Sequence, residues 1–75
     1  MPIPRSVWLP RAANRFRVYR DVSGLTQQQL AKESGVGIRT ISNLEAGRSF
    51  PSAELCMKIG GPLGVENLAA KLLEE

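Results

Sequence analysis

Apolar residues recur at the spacing of an α-helix over residues 11–22. They are three or four positions apart, which places their side chains on one face of a helix, at Ala12, Phe16, Tyr19 and Val22. Pro10 suits the first turn of this helix, because the N–H that proline lacks would have no partner there. Ser23 and Gly24 suit its end, since glycine tolerates a positive φ. The pattern predicts a first helix from about Arg11 to Val22.

The ten residues before this helix contain three prolines, Pro2, Pro4 and Pro10. Proline fixes φ and removes a backbone donor, so residues 1–10 are predicted to form an extended N-terminal arm. The arm also carries apolar side chains, among them Trp8 and Leu9. These side chains either pack onto the rest of the domain or contact a second subunit or another protein partner.

A capping box marks the start of the second helix. The Thr26 hydroxyl can accept a hydrogen bond from the backbone of Gln29, whose side chain can reach back to the backbone of Thr26. The second helix is therefore predicted to begin at Gln27 and to end at Gly35. Leu30 and Ala31 face inward in this helix.

The third predicted helix runs from Ile38 to Glu45, with Gly37 before it and Ala46-Gly47 after it. Ile41 and Leu44 lie three positions apart on its inner face. Glycine is a second-rank N-cap, so its start is less strongly specified than that of the second helix.

Two further helices are predicted in the last third of the chain. Ser52 provides an N-cap for a fourth helix from about Ala53 to Ile59. Gly60-Gly61-Pro62 makes a regular continuation unfavourable. A last helix is predicted from about Val65 to Leu73. Five short helices without a strand pattern predict an all-α domain, a compact five-helix bundle over residues 11–75.

Length and composition narrow the function further. A chain of 75 residues predicts one small domain. It has no histidine and one cysteine, so neither an internal disulfide nor an ordinary metal site is expected. We find no catalytic constellation and no cofactor-binding loop, which makes an enzyme the least favoured class. No apolar run approaches the roughly 18 residues of a membrane helix, and the N-terminus does not resemble a signal peptide, so a cytoplasmic protein is expected.

Positive charge is concentrated in the first 48 residues. Eight basic residues face three acidic ones there, whereas residues 49–75 carry two basic and four acidic residues. Seven of the ten cations are Arg, whose planar group suits phosphate and guanine edges. This imbalance favours a polyanionic partner for the first two thirds of the chain, although small basic domains also carry charges that are merely solvated.

The segment from residue 25 to residue 47 predicts two short helices joined by a tight turn, with the outer face of the second helix exposed as a ridge. The DNA major groove, about 12 Å wide, admits one such helix. The segment contains Leu25-Thr26-Gln27 and Ile41-Ser42-Asn43-Leu44-Glu45-Ala46-Gly47. It resembles the helix-turn-helix of the lambda repressor, Cro and XRE family. The resemblance covers about 50 of the 75 residues and extends to Arg20, Pro51, Ile59 and Leu63-Gly64-Val65.

The resemblance implies roles for individual residues. The positions that face base edges in the family correspond to Ile38, Arg39, Ser42 and Asn43. The positions that contact the DNA backbone correspond to Gln27, Thr40 and Arg48. Arg39 would bind guanine, and Asn43 adenine, through paired hydrogen bonds, while Ile38 would meet a thymine methyl group. The simpler alternatives are a phosphate contact for Arg39 and a solvated hydroxyl for Ser42.

Other positions are structural according to the same resemblance. Arg20 and Glu45 would form a salt bridge that ties the first helix to the end of the third. Cys56 falls at an apolar core position, which favours a buried inert thiol over a redox switch. The sequence departs from the family at Gly37, where a phosphate-binding hydroxyl is usual, and at Gly60-Gly61-Pro62. The second departure puts in doubt any dimer geometry taken from relatives.

The sequence thus predicts a sequence-specific regulator of transcription that binds double-stranded DNA, most simply a repressor that binds an inverted-repeat operator as a homodimer. The dimer contacts are expected on the last helix, at Leu68, Leu72 and Leu73, joined by Trp8 and Leu9. An alternative is the antitoxin of a toxin and antitoxin pair, with the N-terminal arm holding the toxin. A third interpretation is that the chain is the DNA-binding part of a longer regulator. The character of Met1 and Glu74-Glu75, which resemble natural termini, is expected to speak against it.

Overall fold

The computed structural model describes residues 3–73. It contains five α-helices, which are α1 (Arg5–Ser23), α2 (Gln27–Ser34), α3 (Ile38–Glu45), α4 (Ala53–Leu63) and α5 (Leu68–Leu73). No strand occurs among the described residues, so the predicted all-α fold with five helices is confirmed. Within the same range, no helix is long and apolar enough to cross a membrane.

The N-terminal end of α1 differs from the sequence prediction. The helix begins at Arg5 rather than near Arg11. The prediction of an extended arm over residues 1–10 is therefore wrong from Arg5 onward, while Met1 and Pro2 lie outside the described residues. What was expected to be an arm is the first part of a 19-residue helix.

Packing explains why α1 continues through Pro10. Proline removes one backbone hydrogen bond inside a helix, here the bond to the carbonyl of Ser6, an exposed residue whose carbonyl can bond to water instead. Leu9 is buried, and the rings of Trp8 and Phe50 meet edge to face with their centroids 5.5 Å apart. These apolar contacts offset the lost hydrogen bond.

The buried face of α1 also differs from the prediction at its C-terminal end. Ala12 and Phe16 are buried and Tyr19 is half-buried, as the spacing predicts. Val22, however, is 81% exposed, so its assignment to the core is wrong. Ala13, one position beyond the predicted stripe, is buried instead. The core therefore lies against the N-terminal part of α1, and the last turn extends past it.

Hydrogen bonds close along the chain set the ends of α2 and α3. The Thr26 hydroxyl accepts from the Gln29 N–H at 3.1 Å, and Gln29 Oε1 accepts from the Thr26 N–H at 2.9 Å. Gly35 after α2 and Gly47 after α3 have φ values of 73° and 75°, a conformation that glycine adopts most readily. Gly37 precedes α3 without a side-chain hydrogen bond. Both helices begin where the sequence predicts.

α4 continues through the segment predicted to end it. The sequence predicts an end near Ile59, whereas the helix runs to Leu63 through Gly60-Gly61-Pro62. A Cβ at Gly60 would lie 2.8 Å from the carbonyl oxygen of Val65, so glycine permits a close approach there. The Gly60 carbonyl also accepts from the Val65 N–H at 3.0 Å. Because this tight turn follows α4, the last helix begins later in the chain than predicted, at Leu68 instead of Val65.

All five helices contribute to one core, whose largest fully buried side chains are Phe16, Leu30, Ile41, Ile59, Leu68 and Leu72. Cys56 belongs to the same cluster. Burial raises the pKa of the Cys56 thiol, which keeps the sulfur in its neutral form.

The core includes two of the three leucines that were expected to form a dimer surface. Leu68 and Leu72 are each 1% exposed within the chain's own core, so the prediction that they contact a second subunit is wrong. α5 packs against α1 and α4, which turns its apolar face inward. A domain this small needs those side chains for its own stability. Leu73, by contrast, is 50% exposed.

Candidate DNA-binding site

α2 and α3 form two short helices connected by a tight turn at residues 35–37. Leu30 and Ile41 are fully buried and fix the two helices against the core. Val36, inside the turn, is buried as well, and its N–H donates to Ser34 Oγ at 3.2 Å. This packing leaves the opposite side of α3 free of protein contacts, so the start of that helix projects into solvent.

The exposed side of α3 lines an open depression of about 590 Å³ together with the start of α2 and the loop after α3. We call it the α3 surface; its residues are Gln27, Ile38, Arg39, Ser42, Asn43 and Arg48. It brings together six of the seven residues predicted to contact DNA. Thr40, the seventh, is half-buried and does not line the depression.

The α3 surface combines a cation, an apolar group and a helix start. Arg39 is exposed, and within the described residues its guanidinium makes no hydrogen bond or ion pair, so its donors are available to a ligand. Ile38 is 45% exposed although it is a large apolar residue. Gln27 is the first residue of α2, where backbone N–H groups and the helix dipole favour an anion. These groups have the chemistry to bind phosphates and base edges on the same surface.

Arg48 and Asn43 contact each other on this surface. Arg48 NH1 donates to Asn43 Oδ1 at 2.9 Å, and the Arg48 backbone N–H donates to the Asn43 carbonyl at 3.1 Å. The sequence predicts each residue as a separate DNA contact and gives no sign of this bond. The contact depends on the left-handed turn at Gly47, which brings Arg48 back toward α3.

An ion pair supports α3 from behind. Arg20 Nε donates to Glu45 Oε2 at 2.6 Å and Arg20 NH2 donates to Glu45 Oε1 at 3.0 Å, so the predicted salt bridge is present and bidentate. The two side chains are only 14% and 6% exposed. The hydrogen bond to Glu45 raises the pKa of Arg20, and burial opposes this effect. Arg20 NH1 also donates to the Leu25 carbonyl at 2.8 Å, which links the loop before α2 to the same pair.

Two further arginines of α1 make hydrogen bonds within the chain. Arg15 NH1 donates to the Leu72 carbonyl at 3.1 Å and so satisfies the C-terminal end of α5. Arg17 NH2 donates to Asn14 Oδ1 at 2.8 Å on the helix surface. The Arg15 contact joins residues 57 positions apart, and no local signal in the sequence could have indicated it.

A second depression lies on the other side of the loop after α3. We call it the α1–α5 groove; it has a volume of about 800 Å³ and is lined by Ile3, Trp8, Arg11, Arg15, Phe50, Leu72 and Leu73. Most of its lining is apolar, and Arg11 adds an exposed cation. Phe50 lies two residues after Arg48, so this one loop borders both the groove and the α3 surface.

Two packed helices joined by a tight turn, with a polar second helix exposed, are the defining arrangement of helix-turn-helix DNA-binding domains. The comparison with family models agrees with the geometry. The model described as Helix-turn-helix matches residues 17–66, which include all of α2, α3 and α4. The chain therefore belongs to the helix-turn-helix family, in its Cro and C1 type. Domains of this family bind double-stranded DNA.

Three archaeal proteins are similar to the chain, each named as an uncharacterized HTH-type transcriptional regulator. The protein from Methanocaldococcus jannaschii is 42% identical over 71% of this chain and 80% of its own length. The protein from Methanothermobacter thermautotrophicus is 44% identical over 71% of this chain and 77% of its own length. The protein from Archaeoglobus fulgidus is 47% identical over 60% of this chain and 64% of its own length. No solved structure matches the chain significantly.

Proposed function

We propose that the chain is a sequence-specific transcriptional repressor that inserts α3 into the major groove of its operator. The observation that carries this proposal is the α3 surface, where six predicted DNA contacts meet around one depression. The names of the three relatives support a role in transcription. Repression is the simplest outcome, because a protein that occupies an operator blocks access to it without any further contact. A cytoplasmic location is part of the same proposal.

Four residues of the α3 surface, and Thr40 beside it, receive roles in this proposal. Arg39 reads guanine, because its free guanidinium can donate to O6 and N7 together. Ile38 contacts a thymine methyl group, and Ser42 contributes a hydroxyl beside them. Gln27 binds a backbone phosphate at the start of α2. Thr40 makes a peripheral backbone contact, since it lies outside the depression.

Gel-shift titrations on an operator selected from random duplexes test this proposal. Arg39→Ala is expected to weaken binding by about tenfold or more and to relax the preference for one base, as the loss of a bidentate guanine contact does. Gln27→Ala is expected to weaken binding of all sequences alike.

Lys58→Ala is the matched control, because it removes a positive charge on α4 far from the α3 surface. Unchanged affinity in both Arg39→Ala and Gln27→Ala would reject the proposal. A reporter gene downstream of the operator then separates repression from activation.

We further propose that the repressor is a homodimer that binds an inverted repeat. One α3 reads one half-site, and two-fold dimers of this motif read half-sites about 34 Å apart. The exposed part of the α1–α5 groove, which excludes the buried Leu72, is the contact surface of this proposal, because it is largely apolar and adjoins the α3 surface through the loop that carries Phe50. Charge also fits a second copy: Arg11 lines the groove, and in the sequence Leu73 is followed by Glu74 and Glu75.

A two-fold contact uses the same patch on both chains, so each copy would supply both the cation and the carboxylates. Leu73→Lys is expected to yield a monomer in analytical ultracentrifugation and to abolish the preference for two half-sites over one. Met57→Lys is the control, since Met57 is 82% exposed on α4 and does not line the groove. A wild-type chain that is monomeric on its operator would refute the dimer.

The antitoxin alternative rested on an extended N-terminal arm, and residues 5–10 do not form one. An extended arm with a free Trp8 could hold a toxin, but residues 5–10 are helical and Trp8 packs against Phe50. No observation favours this alternative over the repressor, and deletion of the first nine residues should therefore impair folding rather than release a partner.

A further inference from the structure

Arg48 is held against Asn43 at two points. Its NH1 group donates to Asn43 Oδ1 at 2.9 Å, and its backbone N–H donates to the Asn43 carbonyl at 3.1 Å. The turn between them is anchored on α1: a Cβ added to Gly47 would lie 3.7 Å from Ala13 Cβ and 3.8 Å from Pro10 Cα. The loop therefore returns Arg48 to Asn43 from a supported position.

This contact fixes the orientation of the Asn43 amide. A guanidinium has only donors, so the Asn43 atom that faces it must be the carbonyl oxygen. Arg48 uses one of the two lone pairs of that oxygen and places a positive charge beside it, while the NH₂ group of Asn43 stays open to a ligand on the α3 surface. The guanidinium disfavours a second donor at the oxygen, so the two side chains together present mainly donors.

A pair of side chains that presents mainly donors distinguishes the two purines. In the major groove guanine presents two acceptors, O6 and N7, whereas adenine presents one acceptor, N7, and one donor, the N6 amine. Paired hydrogen bonds to adenine would bring the N6 amine to the same amide oxygen as the Arg48 guanidinium, next to its positive charge. The amide alone would lead us to expect adenine at this position, and the contact with Arg48 reverses that expectation.

We propose that Arg48 is a specificity-determining residue that makes Asn43 select guanine over adenine. This inference depends on the proposed function, because it requires that the α3 surface binds DNA. It goes further by assigning a base preference to a pair of residues. A phosphate contact by Arg48 would strengthen binding to every sequence alike, whereas this role changes the order of preference among sequences.

Binding selection and a double-mutant cycle test the inference. Selection with the wild-type chain and with Asn43→Ala identifies the operator position whose base preference depends on Asn43; guanine is expected there. Affinities are then measured for two duplexes that carry G·C or A·T at that position. The wild type should prefer guanine by about tenfold, and Arg48→Ala should lose or invert this preference. In the Asn43→Ala background, Arg48→Ala should leave the ratio unchanged.

Two further variants control for folding and charge. Asn43→Asp keeps an oxygen for Arg48 but has no NH₂ donor, so it should lose the preference for guanine. Lys58→Ala removes a positive charge away from the α3 surface and should leave the ratio unchanged. Because the Arg48 side chain is exposed, Arg48→Ala should melt at the wild-type temperature.

Three results separate the possibilities. If Arg48→Ala weakens both duplexes equally, Arg48 is a backbone contact and the inference is overturned. Adenine at the Asn43-dependent position in the wild type overturns it as well. A wild-type chain that selects no sequence at all refutes the proposed function itself, which is a different result from either of these.

Discussion

The α2–α3 side of the molecule and the α1–α5 side, which comprises α1, α4 and α5, differ in what determines the ends of their helices. α2 begins at a capping box centred on Thr26 and ends at Gly35, so residues within one turn of each end specify it. α1 and α4 instead continue through Pro10 and Pro62, which disfavour a helix locally. Packing against other parts of the chain holds them: Trp8 of α1 contacts Phe50 in the loop after α3, and α4 packs against α2 and α5.

Because of this difference, the residues available for recognition of a ligand are separate from the residues that stabilise the fold. The outer face of α3 can vary without altering the helix, because the buried Ile41 and Leu44 on its inner face specify its position. The α1–α5 side has no such freedom, since its apolar side chains form most of the core. A partly buried ion pair, Arg20 with Glu45, connects the two sides by joining α1 to the end of α3. Substitutions in this ion pair and on each of the two sides test the difference.

The largest effect is expected when the connection is broken. Glu45→Ala removes the bidentate carboxylate from the guanidinium of Arg20, which is 14% exposed and keeps only the exposed carboxylate of Asp21 at 3.4 Å, and should lower the free energy of unfolding by about 3 kcal/mol. Urea unfolding followed by circular dichroism measures this. Glu54→Ala breaks the exposed pair with Lys58 and should change stability by no more than about 0.5 kcal/mol. Equal effects of the two substitutions would mean that the buried pair does not connect the two sides.

The next effect concerns α5. Leu68→Ala removes a side chain that is 1% exposed and should destabilise the chain by about 2 to 3 kcal/mol, the lower part of the range for buried leucines. Leu73→Ala, at a half-exposed position on the same helix, should cost about 0.5 kcal/mol or less. Both variants are measured at a concentration where the chain is monomeric, so that dimer contacts do not contribute. A larger loss from Leu73→Ala would show that α5 packs by a different face.

A pair of neighbouring glycines tests whether close approach holds the end of α4. A Cβ at Gly60 would meet the Val65 carbonyl oxygen at 2.8 Å, so Gly60→Ala should lower stability by about 1 to 3 kcal/mol. At Gly61 nothing other than its chain neighbours lies within 4 Å of an added Cβ. Gly61→Ala should therefore change stability by less than about 1 kcal/mol, because the helix preference of alanine is opposed by the ring of Pro62, which follows it. Thermal melting distinguishes the two, and equal losses for both would exclude the steric explanation.

The smallest effect is expected at the local caps. Thr26→Ala removes the hydroxyl that accepts from the Gln29 N–H and should cost about 1 kcal/mol. Thr26→Ser keeps the hydroxyl and should change stability by only a few tenths of a kcal/mol. Hydrogen exchange should show the loss of protection concentrated in α2. Loss spread evenly over all helices would indicate that α2 is not specified locally.

The sequence was sufficient for the α2–α3 side because its signals are close together. Thr26 and Gln29 are three residues apart, and their capping box is visible without a structure. The same holds for Gly47, which ends α3. Six of the seven predicted contacts accordingly meet at one surface. Thr40 is the exception, because its position on α3 points its side chain away from the depression.

The other side could not be predicted because its determinants are distant. Pro10 would end a helix on local preference alone, and only the contact between Trp8 and Phe50 reverses that outcome. The position of Leu72 along α5 fits an exposed apolar face as well as a buried one. Only the packing of α5 on α1 decides that Leu72 is buried. The bond between Arg48 and Asn43 likewise depends on how a turn is oriented in space.

Cys56 is the only thiol in the chain, and it lies in the core on α4. A thiol reagent should reach its sulfur faster when α4 separates from its neighbours, because Cys56 is only 8% exposed and its raised pKa slows reaction with the closed form. A change in the labelling rate of Cys56 therefore reports a change in how often the native domain opens, without any added probe. Measured with and without DNA, that rate would show how far occupation of α3 suppresses breathing motions on the opposite side of the molecule.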